Sequence, residues 1–402
     1  MTASPLRRAL LGTLTGLRLL PALVFAQGKT ELLVYTALEA DQIKAYQEAF
    51  QKDHPEIELK FVRDSTGIVT AKLLAEKAQP RADVVWGLAA TSLMLLDKEK
   101  MLMPYAPKGL DALKPTMRDA ANPPHWVGMD LWSSAMCFNT VEAGKKNMPK
   151  PTSWADLTKP AYKGQITMPH PASSGTGYLM VSAWLQMMGE QKGWEYMDAL
   201  HQNIGVYTHS GSKPCKQAGA GEYAVGLSFE YRANKTKKEG APIDIVLPKE
   251  GLGWDMEATG ILASTKKPEA AKVLADWAAS RAANELYAKN FAVVAMPGVQ
   301  GKLEFVEGDV EKQLARNDFN WAAANRERIL ADRRKRRLVD GFEPLQKLTP
   351  RRPVHPRRTL QRRGDGPSRR AAVLPCPRLE GWQSGRMRRS RKPFRGFGSD
   401  VG

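Results

Sequence analysis

Between residues 31 and 86 the chain switches repeatedly between short apolar runs with strand spacing and longer segments with helical spacing. That alternation restricts the fold more than any other feature. Glu31-Leu32-Leu33-Val34-Tyr35 reads as a strand, and residues 40–53 set Ile43, Ala45, Tyr46 and Phe50 close to helical spacing. Residues 57–62 alternate, with Ile57, Leu59 and Phe61 on one face; residues 68–77 are helical again, and 82–86 form a short apolar strand. A βαβαβ order demands parallel strands covered by crossover helices. The pattern returns at Gly164-Gln165-Ile166-Thr167-Met168, followed by a helix over 177–188. Residues 126–140 read as a crossover strand between two such units, with 243–247 and 254–262 as the return. Residues 267–281 are amphipathic, with Ala270, Val273, Leu274 and Trp277 on one face. Residues 310–332 read as a last helix or helix pair. The expected architecture is α/β and two-lobed. Residues 27–128 and 256–300 are expected in the first lobe, and 129–255 and 301–332 in the second.

Two terminal segments of different character bound this body. Residues 333–402 carry 21 Lys/Arg against 5 Asp/Glu, whereas residues 27–332 carry 36 against 37. The formal net charge of +18 is therefore a property of the tail, and it argues for no nucleic-acid partner of the body. The tail is rich in Arg, Pro and Gly without periodicity, so it is expected to be disordered. Its run Gly381-Trp382-Gln383-Ser384-Gly385-Arg386-Met387-Arg388-Arg389 resembles the conceptual translation of a transfer-RNA gene. Residues 333–402 are thus expected to be a non-native, frameshifted product. An arginine-rich arm for RNA or anionic lipid is the alternative and rests on the tail alone. At the other end, Arg7-Arg8, a mostly apolar run over 9–22 and Val24-Phe25-Ala26 read as an export signal cleaved near Ala26. No other stretch is long and apolar enough to span a membrane.

The chemistry is expected in loops that leave strands and open helices. These are Thr36-Ala37-Leu38-Glu39, Asp64-Ser65-Thr66-Gly67, Pro169-His170-Pro171-Ala172-Ser173-Ser174-Gly175-Thr176-Gly177 and His209-Ser210-Gly211-Ser212-Lys213. Helix N-termini present unpaired N–H groups and the positive end of the macrodipole; glycine admits an anion close to the backbone, and hydroxyls add donors. In a parallel sheet such loops gather at the carboxyl ends of the strands. Ser65, Thr66, Ser173, Ser174, Gly175, Thr176, Ser210 and Ser212 are the candidates for the anion end of a ligand. Any one of them alone is also what an ordinary N-cap supplies. There is no Gly-Lys-Ser/Thr of a P-loop and no GxGxxG after the first strand, which argues against nucleotides.

These loops carry a resemblance. Pro151-Thr152-Ser153-Trp154-Ala155-Asp156-Leu157, Tyr162-Lys163-Gly164 and Pro171-Ala172-Ser173-Ser174-Gly175-Thr176 are similar to the periplasmic solute-binding proteins of ABC importers, in the branch that includes ferric-ion binders. Val34-Tyr35-Thr36-Ala37-Leu38-Glu39-Ala40-Asp41, Asp64-Ser65-Thr66-Gly67, Val85-Trp86-Gly87-Leu88, His209-Ser210-Gly211-Ser212-Lys213-Pro214-Cys215 and Phe229-Glu230-Tyr231-Arg232 look like the 2-aminoethylphosphonate-binding group within it. The likeness runs from about Glu31 to about Asp332. It implies the type II periplasmic-binding-protein fold, a clamp in the periplasm that works as a monomer. The clamp would close on a small phosphonate and deliver it to an ABC permease in the inner membrane. Ferric binders use paired tyrosines; Phe229-Glu230-Tyr231 offers one Tyr and an acid, which suits a ligand with an amine. A binder of ferric ion or another small anion is the alternative within the fold.

For the ammonium end, Glu39, Glu230 and Asp255 are candidates, with Trp86 and Tyr231 as cleft walls; solvated acids and core aromatics are the plainer alternatives. His170 and His209 lie beside the anion loops. Six histidines without metal-ligand spacing lead to no expected metal, and no cofactor is expected. Cys137 and Cys215 are compatible with a disulfide in an exported protein or with two buried thiols. No nucleophile elbow or Ser/His/Asp order is present, so an enzyme is not expected. A secreted enzyme acting on phosphonate or phosphate esters is the alternative of another class.

Overall fold

The computed structural model describes residues 28–336. The expected export signal (1–26) and residues 337–402 of the expected tail lie outside the described residues.

Eleven strands are present among these residues: β1 (Thr30–Thr36), β2 (Ile57–Arg63), β3 (Val84–Ala89), β4 (Leu102–Met103), β5 (Val127–Asn139), β6 (Ile166–Pro169), β7 (Ile204–Thr208), β8 (Val225–Phe229), β9 (Ile243–Val246), β10 (Trp254–Leu262) and β11 (Val293–Val294). They run in the order β2-β1-β3-β10-β5-β8-β6-β7, with β4 on β10 and both β9 and β11 on β5. The βαβαβ start is as expected: β1 pairs in parallel with β2 and with β3. In the second lobe β6 pairs in parallel with β7 and β8.

β5 holds the two lobes on one strand. Its residues up to Ser133 pair with β10, and from Ser134 to Phe138 they pair with β8. All thirteen residues are buried, because each half lies inside a covered sheet. The first lobe has an apolar layer on each face of its sheet. Leu32, Val34, Tyr46, Trp86 and Trp277 form one, and Tyr35, Val85, Leu88 and Leu93 the other. This alternation along β1 is the period-2 pattern read from the sequence. The second lobe packs around Trp154, Trp184, Tyr162 and Leu227. Cys137 on β5 and Cys215 on the helix Lys213–Gly219 are joined by a disulfide across 78 residues, with Cα atoms 5.3 Å apart.

The expected end of the fold needs correction. The helix Phe319–Lys335 runs through Asp332 without a break. Its face carries Ala322, Ile329 and Arg333, all buried. The Arg333 guanidinium lies 5.0 Å from the Tyr207 ring centre, and Arg336 stacks 5.1 Å from that of Trp194 while pairing with Asp198 at 2.8 Å. The change in net charge at residue 333 marks a change of composition, whereas an amphipathic helix is ended by the loss of a packed face. Tyr178 donates to the Ala322 carbonyl at 2.5 Å, so this helix is docked on the second lobe. It also lies beside the helix Ala90–Lys98 of the first lobe.

Candidate functional site

The carboxyl ends of β1, β2 and β3 face those of β6 and β8, and the loops leaving them meet. The Gly67 amide donates to the Ser173 carbonyl at 2.8 Å, so the two anion loops expected from the sequence are joined backbone to backbone. This approach needs glycine on both sides. A Cβ on Gly67 would strike the Ala172 carbonyl, and one on Gly175 would strike the Thr66 side chain. Further along the rim, His209 Nε2 sits 2.7 Å from Asp64 Oδ1, Tyr231 donates to Asp41 at 2.6 Å, and Lys235 reaches the same carboxylate at 2.7 Å. Burial alone would push Asp41 up, but the hydrogen bonds from Lys235 and Tyr231 outweigh it and hold the group at about 2. Arg232, buried, reaches Glu39 at 3.1 Å. The lobes are thus closed on one another.

Between them lies a narrow cleft, about 490 Å³ with its open mouth included. Ser65, Thr66, Ser174, Gly175, Thr176, Ser210 and Glu39 line it, as expected, together with Gln42, Arg63, Trp132, Phe229 and Glu257. Ser65 precedes the helix Thr66–Ala75 without capping it through its side chain. Among the described residues the hydroxyls of Ser65, Thr66 and Thr176 make no hydrogen bond within the chain. Ser174 caps the helix Gly175–Met188, its hydroxyl accepting from Gly177 N at 3.3 Å. Arg63 donates to the Leu38 carbonyl at 2.9 Å and lies 3.5 Å from Glu39, which fixes a guanidinium at the cleft wall. Gln42 reaches back to the Glu39 amide, a capping box, and its Nε2 is buried without a partner. Donors and the Arg63 guanidinium, itself paired with the Glu39 carboxylate, therefore stand at this end of the cleft, and the donors suit an oxyanion.

The floor is acidic. Glu257 lines the cleft, and its cross-strand partner in the β5–β10 ladder is Asp130, fully buried. Both Asp130 oxygens, Glu257 Oε2 and Glu230 Oε1 have no donor among the described residues. Burial pushes Glu257 up to about 8, and burial together with Glu257 and Glu230 pushes Asp130 well above the carboxylate range. Each carboxyl therefore holds its proton more tightly than a solvated one.

Several expected site residues fall elsewhere. Trp86 is not a cleft wall. It is fully buried among Tyr46, Trp277 and Tyr287 and donates to the Tyr287 hydroxyl at 3.3 Å, because it shares with Val84 the face of β3 that packs in that aromatic layer. Asp255 is not at the ammonium end. It accepts from the Thr91 hydroxyl at 2.6 Å and from Met256 N, tying β10 to the helix Ala90–Lys98, and burial raises it to about 6. Glu230 does not line the cleft. It is buried and accepts from Ser133 N at 2.6 Å, and burial raises it to about 8 against that bond. Tyr231 is at the rim on Asp41. The Ser173 hydroxyl is turned to the His170 and His209 carbonyls, so it holds the loop. Ser212 is buried behind Ser210, 3.5 Å away. His170 is buried and pushed down to about 4, so it stays neutral. The residues not foreseen are Gln42, Arg63, Asp130, Trp132, Phe229 and Glu257. Two of them left a signal: Arg63 ends β2, and Asp130 is the single charged residue of the buried strand β5.

The chain matches the family model of bacterial extracellular solute-binding proteins over residues 79–326. A probable ABC transporter periplasmic-binding protein of Sinorhizobium fredii is 26% identical over 243 residues, spanning 59% of this chain and 66% of the relative. The Fe(3+)-binding periplasmic protein of Serratia marcescens is 25% identical over 276 residues, spanning 67% and 79%. The solved structure of the periplasmic binding protein AfuA from Actinobacillus pleuropneumoniae, with exogenous fructose-6-phosphate bound, superposes with a TM-score of 0.71 at 28% identity, covering 77% of this chain and 99% of that one. The chain belongs to the bacterial extracellular solute-binding protein family, the periplasmic solute-binding proteins of ABC importers.

Proposed function

We propose that this solute-binding protein captures a small phosphonate bearing an amine, of the 2-aminoethylphosphonate kind, between its lobes. It would then hand that ligand to an ABC permease in the inner membrane. The observation that carries this reading is the polarity of one cleft. At one end stand the free hydroxyls of Ser65, Thr66 and Thr176 with Arg63, and at the floor stands Glu257. A tetrahedral oxyanion accepts several hydrogen bonds at once, which matches hydroxyls converging from both lobes. The ammonium end, first sought at Glu230, moves to Glu257, the floor acid that reaches the cleft. The fructose-6-phosphate carried by the AfuA relative supports an organic phosphorus oxyanion as the ligand class, and it makes a sugar phosphate the second reading.

Ferric ion fits less well. A hard trivalent cation needs several anionic oxygens. No tyrosine or histidine lines the cleft among the described residues, and Arg63 puts a positive charge there. The test is calorimetric titration with 2-aminoethylphosphonate, ethylphosphonate, fructose-6-phosphate, inorganic phosphate and ferric citrate. One-to-one binding is expected, tightest for the aminated phosphonate. Preference for the sugar phosphate would shift the ligand to the second reading, and preference for iron would overturn both.

A further inference from the structure

We infer that the carboxyl pair Asp130 and Glu257 forms a cation-accepting subsite at the cleft floor, holding a proton in the empty protein and exchanging it for the ligand's ammonium group. The inference rests on the proposed phosphonate reading and adds to it a proton-linked mode of amine recognition.

The geometry starts from strand register. Glu257 and Asp130 are direct partners in the antiparallel β5–β10 ladder, so their side chains leave the same face of the sheet side by side. Glu257 reaches the cleft, while Asp130 is wholly enclosed beneath it. Neither Asp130 oxygen meets a donor among the described residues, nor does Glu257 Oε2. A lone buried carboxylate is costly, and two adjacent ones more so, unless a cation or a proton stands between them. Among the described residues no side chain supplies that cation. The charged and titratable groups around the pair are Glu39 and Tyr46 from the first helix and its cap, Glu230 at the start of the helix Glu230–Lys238, and Tyr287 from the helix Arg281–Tyr287. All are acids or phenols. Arg63, the one cation lining the cleft, is held by Glu39 and the Leu38 carbonyl. Each carboxyl of the pair is therefore neutralised by its own proton until a cation enters from the cleft. When an ammonium reaches Glu257, the carboxyl O–H gives its proton to solvent, and the carboxylate left behind pairs with the ligand's N–H groups.

The experiment counts protons. Titration of the full chain at pH 7, in two buffers of different ionisation enthalpy, compares 2-aminoethylphosphonate with ethylphosphonate. The aminated ligand is expected to release up to about one more proton than ethylphosphonate. Its affinity relative to ethylphosphonate should rise roughly tenfold per pH unit up to about pH 8 and then level off. Glu257→Gln should abolish the extra release and weaken the aminated ligand at least about tenfold, leaving ethylphosphonate within about twofold. Asp130→Asn is the second variant, and the wild-type count needs neither. Equal proton counts for the two ligands, or equal losses in Glu257→Gln, overturn the subsite. Binding of ethylphosphonate with no gain from the amine defeats this inference alone, whereas absence of binding by both defeats the phosphonate reading as well.

Discussion

A chain ending at Asp332 and one ending at Arg336 differ by four basic residues, and simple charge accounting would call those residues dispensable. The packing says otherwise. Arg333 is 3% exposed, stacked 5.0 Å from the Tyr207 ring centre and 3.8 Å from Met197 Sδ. A desolvated cation–π contact contributes about 2 kcal/mol, and the more exposed stack of Arg336 on Trp194 about 0.5–1. The Arg336–Asp198 pair is about two-fifths exposed on both sides and adds a few tenths of a kcal/mol after screening. Against this stands the buried, unpartnered Arg333 Nε. With that orphan costing about 1 kcal/mol or more, the net is about 1–2 kcal/mol, or roughly 2–3 °C in melting temperature for a body of this size. Melting the two truncated chains side by side, with circular dichroism at 222 nm, measures the difference. If they melt together, the helix does not need its last turn and the reasoning from buried arginine fails.

Three further outcomes follow from the cleft. Thr176→Val and Ser65→Ala should each weaken phosphonate binding by about 1.5–3 kcal/mol in calorimetry, with unchanged melting. Ser173→Ala should instead lower the melting temperature, because its hydroxyl serves the His170 and His209 carbonyls. Gly67→Ala should weaken every ligand by at least about tenfold, since a methyl group there meets the Ala172 carbonyl and holds the lobes apart; small-angle scattering should show an opened form with ligand present, and an unchanged profile counts against it. Stability of the unliganded protein should fall as the pH rises from about 5 through about 8. Glu230 and Glu257 sit at about 8 in the fold and near 4.5 when unfolded, so the folded state binds more protons in that window. Glu257→Gln should flatten the fall, and a melting temperature that climbs over this range would contradict the assignment.

The architecture was legible because it rests on periodicity and loop chemistry. β1, β2 and β3 with their helices are where apolar spacing put them, and the crossover over 126–140 is β5. That the hydroxyl loops would meet at one cleft was legible for a related reason: hydroxyls at strand-to-helix junctions are local features, and a parallel sheet gathers them. The acidic end was not. Whether an acid on β10 or just past β8 reaches a cleft depends on what packs around it, and Glu230, Asp255 and Glu257 differ in this by tertiary contacts alone. Trp86 failed likewise, since an aromatic beside a glycine reads the same in a wall or a core. Arg333 is a case of composition misleading. Averaged over the tail it is one charge among many, but on the helix it is an apolar-face residue with a charged tip.

A strand shared by two sheets has a mechanical meaning. β5 passes from one ladder to the other between Ser133 and Ser134, and both amides are tied, one to Glu230 and the other to the Gly253 carbonyl. Such a joint resists stretching and shear but yields to twist about its own axis, much as a torsion bar does. If the joint twists, the rim at Asp64 and His209 should part more than the floor at Glu257. A ligand first docked on the floor would meet the same hydroxyls every time the rim swings shut, so the order of contacts is written into the backbone rather than searched for anew at each encounter.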